Sequence, residues 1–118
     1  MREFSKKNPL ISIVMPSFFS EAHIAECIES VQKQTYKNFE LLIVDGVSKD
    51  KTLSIIKKYQ ENDSRIQLIN NHNDNGPAQA RSQGIKASRG KFIAFIDSDD
   101  LWMNNKLEMQ LNFMDKNN

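Results

Sequence analysis

One cysteine, Cys27, stands among 118 residues, so the chain cannot be built on an internal disulfide framework. That scarcity fits a reducing compartment. Glycine and proline are sparse too, at four and three residues, which excludes collagen-like and low-complexity architectures. Neither sign of charge dominates. Sixteen Lys and Arg oppose 15 Asp and Glu for a formal net charge of +1, so the cationic footprint of a nucleic-acid-binding surface is missing. No apolar run approaches the roughly 20 residues of a membrane-spanning helix. Met1 to Asn8 are polar and basic, without the apolar stretch of a secretory leader. We read residues 1–8 as a tail, residues 9–118 as one domain, and the location as cytoplasmic. With 39% hydrophobic and 26% charged residues, the composition is that of a globular domain. A domain of this size buries roughly two-thirds of its unfolded surface, enough for a real core.

Four short runs rich in β-branched and aromatic residues predict buried strands: Leu10 to Met15, Phe39 to Val44, Ile66 to Ile69 and Phe92 to Ile96. The first, second and fourth are almost continuously apolar, which suits parallel strands covered on both faces. Helical periodicity fills the intervals. Ile24, Ile28 and Val31 mark one face, with Ser20 as a candidate N-cap. Leu53, Ile56 and Tyr59 mark a second, capped by Asp50 or Ser48. Pro77 to Ser88 predicts a third helix with Ala78, Ile85 and Ala87 as its apolar residues, Pro77 at a first position and Arg89-Gly90 as its stop. Leu107, Leu111 and Met114 predict a fourth. The order β-α-β-α-β-α-β-α implies an α/β fold, a Rossmann-like open parallel sheet with helices on both faces. Ligands of such sheets bind beyond the carboxyl ends of the strands. Attention therefore falls on Pro16 to Ser20, Asp45 to Asp50, Asn70 to Asn75 and Asp97 to Asp100.

The last of these is the most acidic. In extended chain, Asp97 and Asp99 project to one side. Two close carboxylates repel, and a hard divalent cation such as Mg²⁺ or Mn²⁺ removes the conflict. Mg²⁺ characteristically combines one or two carboxylates with substrate phosphates. The competing reading makes Asp99 or Asp100 the N-cap of a helix starting at Leu101. Asp45 is either a ligand to a base or ribose, or the start of an Asp-Gly turn, and the local pattern favours the turn. Phe18 or Phe19 can stack on a nucleobase; we expect at least one of the two rings in the core. Arg81 lies one turn into the third helix, where it adds a cation to an anion-attracting helix start. His23 and His72 read as surface residues. Cys27, on the apolar face beside Ile28, reads as a small core residue, not a nucleophile.

In order along the chain stand Ile11-Ser12-Ile13-Val14-Met15-Pro16-Ser17, the segment Ser30 to Leu41 with its Gln34-Thr35-Tyr36, Ile43-Val44-Asp45-Gly46-Val47-Ser48-Lys49-Asp50, Asn75-Gly76-Pro77-Ala78-Gln79-Ala80-Arg81, and Gly90 to Trp102 with Asp97-Ser98-Asp99-Asp100. Together they resemble the family 2 glycosyltransferases, inverting enzymes with the GT-A fold, over about residues 9–111. The resemblance implies a nucleotide-diphospho-sugar donor, a UDP-sugar first of all, held with Mn²⁺ or Mg²⁺. It makes Pro16, Ser17, Phe18, Asp45, Arg81, Asp97 and Ser98 nucleotide-binding positions, with Phe18 on the base and Asp45 near base and ribose. Asp99 and Asp97 become the metal ligands, Asp99 in direct contact. The acceptor is unknown, with a lipid-linked or surface glycan as the class to consider; that places the whole protein at the inner face of a membrane.

The sequence departs from the family pattern in places. Phe18-Phe19 stand where Tyr-Asn is common, Gly46 where a second acid is common, and Ser82 where Asn is common. The family's catalytic base and acceptor segments lie well beyond the Asp-x-Asp, while this chain stops at Asn118. The resemblance thus implies a donor-binding half with no assignable base, an exposed sheet edge, and self-association into a homo-oligomer. Two other readings stay open: a non-catalytic nucleotide- or metal-binding module, and a phosphatase of the haloacid-dehalogenase type using the Asp-x-Asp. A sugar nucleotidylyltransferase needs a glycine-rich loop after the first strand, and Pro16 to Glu21 contains no glycine.

Overall fold

The computed structural model describes residues 8–46, 48–71 and 76–116. Its elements follow the predicted order: β1 (Ile11–Ser17), α1 (Ile24–Gln32), β2 (Phe39–Asp45), α2 (Thr52–Asn62), β3 (Ile66–Asn70), α3 (Pro77–Ala87), β4 (Phe92–Phe95) and α4 (Lys106–Lys116). The four strands form one parallel sheet in the order β3-β2-β1-β4. Ile11 pairs with Phe39 on one side and with Phe92 on the other.

Alternation along the strands divides the core between two faces. Ile13, Met15, Leu41 and Ile43 turn toward α1, α2 and α4, where Ile24, Cys27, Ile28, Val31, Ile56, Leu107 and Leu111 are buried against them. Val14, Leu42 and Val44 turn the other way and meet Ala80 of α3. The predicted faces of α1 and α4 hold. The face of α2 is rotated slightly, with Thr52 and Ile56 buried and Leu53 half-buried.

The third helix differs more. Ala78, Ile85 and Ala87 are exposed, and α3 packs through Ala80 and Gly84 instead. Its approach to β1 explains the inversion. A Cβ on Gly84 would lie 2.4 Å from Cγ1 of the fully buried Val14, so the small residues, not the large ones, face the sheet. Gly90 likewise departs from its expected part as a helix stop. The helix ends at Ala87 with Ser88 extended, and Gly90 is required because a Cβ there would sit 2.6 Å from the Ser12 backbone nitrogen.

Nor does Ser20 cap α1 with its side chain. Helix α1 starts at Ile24, and it is the Ser20 carbonyl that accepts from the His23 and Ile24 amides at 3.0 and 2.8 Å. At α2 the Asp50 carboxylate does accept from the Thr52 amide at 3.0 Å. The fourth strand was expected to be covered on both faces. It is an edge strand, with Ile93 and Phe95 at 39% and 44% exposure, because α3 lies over β1 and β2 and no described element lies beyond β4.

Two buried polar side chains tie the layers together. The Gln34 amide donates to the Met103 carbonyl at 2.7 Å and accepts from the Leu107 amide at 3.1 Å, joining the end of α1 to the start of α4. Glu40, 3% exposed, accepts from Ser12 Oγ at 2.6 Å, from the Arg89 amide at 2.7 Å and from the Arg89 guanidinium. Ser12 Oγ in turn accepts from the Gly90 amide at 2.8 Å. Burial pushes the Glu40 carboxyl up, but the hydrogen bonds from Ser12 and Arg89 outweigh it and hold the group below its ordinary 4.5. This clamp sets where β4 begins, and therefore where the acidic segment at its far end emerges.

Two outcomes follow. Gly84→Ala gains about 1 kcal/mol of helix propensity but overpacks a site that normally costs ~1–3 kcal/mol, so denaturant unfolding should show a net loss. A carboxylate held below its free value stabilises the fold above its unfolded pKa and loses that contribution as pH falls through the folded one. Glu40→Gln should therefore lower stability near neutral pH by roughly 1–3 kcal/mol and flatten the acid limb of a stability-versus-pH curve.

Candidate functional site

The order of the strands reverses between β1 and β4, since the chain proceeds from β1 to β2 and β3 on one side and returns to β4 on the other. The two carboxyl ends diverge there, and a hollow of about 690 Å³ opens at that point. Pro16, Ser17, Phe18 and Phe19 form one wall, Asp97, Ser98 and Asp99 a second, and Gly76, Pro77, Ala80 and Arg81 a third. Ser20, His23, Gly46 and Asn71 complete it.

The acidic wall is a tight turn and not a helix cap. The Ile96 amide donates to the Val14 carbonyl at 3.1 Å, and the Asp100 amide closes on the Asp97 carbonyl at 2.9 Å. Helix α4 starts only at Lys106, so neither Asp99 nor Asp100 caps a helix from Leu101. Side chains from α1 and the loop before it hold the turn. Cys27 Sγ donates to the Asp97 carbonyl at 3.3 Å, and Ser98 Oγ lies 2.7 Å from Ser20 Oγ. Burial, reinforced by the neighbouring aspartates, pushes the Cys27 thiol up to about 12, so it stays protonated as a donor and is no nucleophile.

Both Asp97 and Asp99 face the hollow and are exposed. Arg81 Nη2 lies 3.4 Å from Asp97 Oδ1, an open pair worth under about 1 kcal/mol. Among the described residues, no three His, Cys, Asp or Glu side chains gather to form a closed metal cage. Two accessible carboxylates with free oxygens fit instead a hard cation that fills its shell from water and a phosphate-bearing ligand.

The aromatic wall overturns the expectation that one ring is core. Phe18 and Phe19 are 52% and 49% exposed, edge to face at 4.4 Å between centroids. The cause is local: Phe19 has φ of +50°, a left-handed conformation that costs a bulky L-residue about 1–2 kcal/mol and turns the chain outward. Hydroxyl groups support it. The Phe18 amide donates to Ser20 Oγ at 3.3 Å, the Phe19 amide to Ser48 Oγ at 2.8 Å and the Ser20 amide to Thr52 Oγ1 at 2.8 Å.

Asp45 lies elsewhere. Its side chain is fully buried, accepts from the Ser48 amide at 2.7 Å and from Ser48 Oγ at 2.8 Å, and does not line the hollow. The wall position belongs to Gly46, whose amide donates to the Ser17 carbonyl at 2.9 Å. The Asp45 carboxylate is bonded within its own loop, to Ser48, the local role weighed against ligand binding. His23 is exposed as expected, yet it stands at the rim. His72 and residues 73–75 lie outside the described residues. Ser20, Gly46 and Asn71 lie in the strand-end segments singled out from the sequence but were not picked individually, because neither small polar side chains nor a glycine carry a pattern of their own.

Residues 12–118 match the family model described as glycosyl transferase family 2. The chain belongs to that family. Among curated relatives, the UDP-Glc:alpha-D-GlcNAc-diphosphoundecaprenol beta-1,3-glucosyltransferase WfgD of Escherichia coli is 50% identical over 109 residues, 92% of this chain and 42% of that protein. The chain thus spans less than half the length of this relative. Among solved structures, S. aureus TarS 1-349 in complex with UDP-GlcNAc superimposes with a TM-score of 0.83 at 32% identity, over 90% of this chain and 31% of that one. A mannosyltransferase from Pyrobaculum calidifontis, solved with GDP-Man and Mn²⁺, gives 0.79 at 22% identity over 91% of this chain and 32% of its own, a likeness of fold. The Rossmann-like parallel sheet is therefore the architecture the strand and helix runs implied, and its GT-A type the one the resemblance implied. The match sets aside the dehalogenase-type phosphatase reading.

Proposed function

We propose that this chain is the donor-binding portion, residues 9–118, of a glycosyltransferase that moves a sugar from a nucleotide diphosphate to an acceptor hydroxyl with inversion. The observation that carries the reading is the convergence of an aromatic pair, an arginine and two open carboxylates on one hollow at the point where the strand order reverses. Phe18 offers a ring face to the base, and a UDP-sugar is the donor to try first. Pro16 and Ser17 shape the floor beneath it, while Arg81 faces the diphosphate charge. Asp99, with Asp97, would hold Mn²⁺ or Mg²⁺, which when bound neutralises charge developing on the departing diphosphate. Ser98 anchors that turn through Ser20.

An inverting transfer also needs a base within hydrogen-bond reach of the acceptor hydroxyl. Since this chain spans 42% of the E. coli relative, we assign the base and the acceptor site to chain outside residues 1–118. The lipid-diphosphate-linked acceptor named for the E. coli relative is the class to test first. No helix among the described residues is long and apolar enough to cross a membrane. We place the whole protein in the cytoplasm, peripheral to the inner membrane face where such an acceptor is presented.

Calorimetry tests the donor site. UDP should bind more tightly with Mn²⁺ than without, and Asp99→Ala should weaken the metal-dependent component at least about tenfold, a loss that even outer partners of metal ligands produce. Phe18→Ala should cost ~1–3 kcal/mol of nucleotide binding if its ring stacks on the base. Absence of any nucleotide binding by the folded chain would favour the non-catalytic module.

The open β4 edge carries a second expectation. No described strand lies beyond β4, and the exposed Ile93 and Phe95 on it favour association with a second copy. Sedimentation should show concentration-dependent association, weakened by Phe95→Lys; a strictly monomeric profile at high concentration counts against it.

A further inference from the structure

We propose that Asp45 is a positioning residue that aims the Phe18–Phe19 pair at the hollow without touching the nucleotide. The inference rests on the donor-site reading above, which gives the rings their purpose. Its basis is a directed chain of hydrogen bonds. Ser48 Oγ donates its one proton to Asp45 Oδ1 at 2.8 Å, which leaves its lone pairs to accept from the Phe19 amide at 2.8 Å. Asp45 Oδ2 meanwhile accepts from the Ser48 amide at 2.7 Å, so the carboxylate grips Ser48 with both oxygens and fixes where its hydroxyl points. The relay therefore runs from Phe19 N–H through the Ser48 hydroxyl to Asp45 Oδ1.

What the relay holds is the unusual part of the loop. Phe19 is the residue at φ +50°, and its amide is drawn by a side chain 29 positions away, not by a neighbour on its own strand. The anchor is rigid, because the Asp45 carbonyl also accepts from the Asn71 amide at 2.8 Å and the Gly46 amide donates to the Ser17 carbonyl at 2.9 Å. The Asp45 carboxylate is buried, and both its oxygens are bonded to Ser48. Here it converts the end of β2 into a support for the aromatic loop after β1.

Direct contact with the base and positioning through Ser48 give different results. Asp45→Asn and Ser48→Ala should each weaken UDP and GDP by the same factor, roughly 3- to 10-fold, and the double variant should lose little more than either single one. Amide hydrogen exchange at Phe19, measured by NMR without ligand, should accelerate roughly tenfold in both variants. The proposal is overturned if Asp45→Asn alters the UDP-to-GDP ratio while Ser48→Ala does not, since Asp45 would then read the base itself. It is equally overturned if the Phe19 amide exchanges at an unchanged rate. Exchange remains decisive even if the wild-type chain binds no nucleotide, in which case the donor-site reading fails separately. Should Asp45→Asn not fold, an unchanged Phe19 amide exchange rate in Ser48→Ala still overturns the proposal, and Asp45→Glu, which keeps the acidic group but shifts its oxygens, should accelerate that exchange if it holds.

Discussion

The hydrogen-bonded position of β1 between β2 and β4 is the constraint on which everything else in this chain depends. Two walls of the hollow follow directly from β1 and from β4 beside it. Ser17 ends β1 and accepts from the Gly46 amide, while the Val14 carbonyl accepts from the Ile96 amide just ahead of the acidic turn. If β4 slipped by one residue along β1, every side chain on it would change face. Asp97 and Asp99 would then leave the hollow. The Glu40–Ser12–Gly90–Arg89 network opposes such a slip, because it bonds Arg89 and Gly90, just ahead of β4, to β1 and β2 at the opposite end of the sheet.

A second theme is the use of hydroxyls where a backbone partner is lacking. The amides of Phe18, Phe19 and Ser20 leave the sheet at the end of β1, and each finds a serine or threonine oxygen. Ser20 is the shared node. It accepts from the Phe18 amide, touches Ser98 across the hollow and sends its own amide to Thr52 at the start of α2. Three loops that are distant in sequence are thereby held in one geometry before any ligand arrives. Preorganisation of this kind lowers the ordering cost of binding.

Much of this was legible from the residues. Apolar runs and helical spacing were sufficient for the order of elements, and the carboxyl-end rule pointed at the right loops. The failures share a physical cause. Helix α3 packs by Ala80 and Gly84, and a search for large apolar side chains looks past a helix that approaches closely through small ones. The outward turn of both phenylalanines depends on the backbone of Phe19, which Ser48 stabilises from 29 residues away. The burial of Asp45 depends on the same serine. Such long-range bonds leave no periodic trace.

The carboxylates themselves separate into two kinds, and the division argues for the chemistry. Asp63 is gripped by Arg65 at 2.9 Å on each oxygen and helped by Gln32, and these bonds hold it near 2. Glu40 and Asp45 likewise have both oxygens engaged by protein donors. Those groups are buried or bonded into holding the fold, away from any ligand that must come and go. Asp97 and Asp99 are arranged the opposite way. Their turn is held through the Asp97 carbonyl and the Ser98 hydroxyl, while the carboxylates are left exposed, with a long contact to Arg81 as the one ion pair to either among the described residues. A turn that fixes the backbone of two acids and leaves their carboxylates exposed suits the phosphate-shared cation of the proposed donor site.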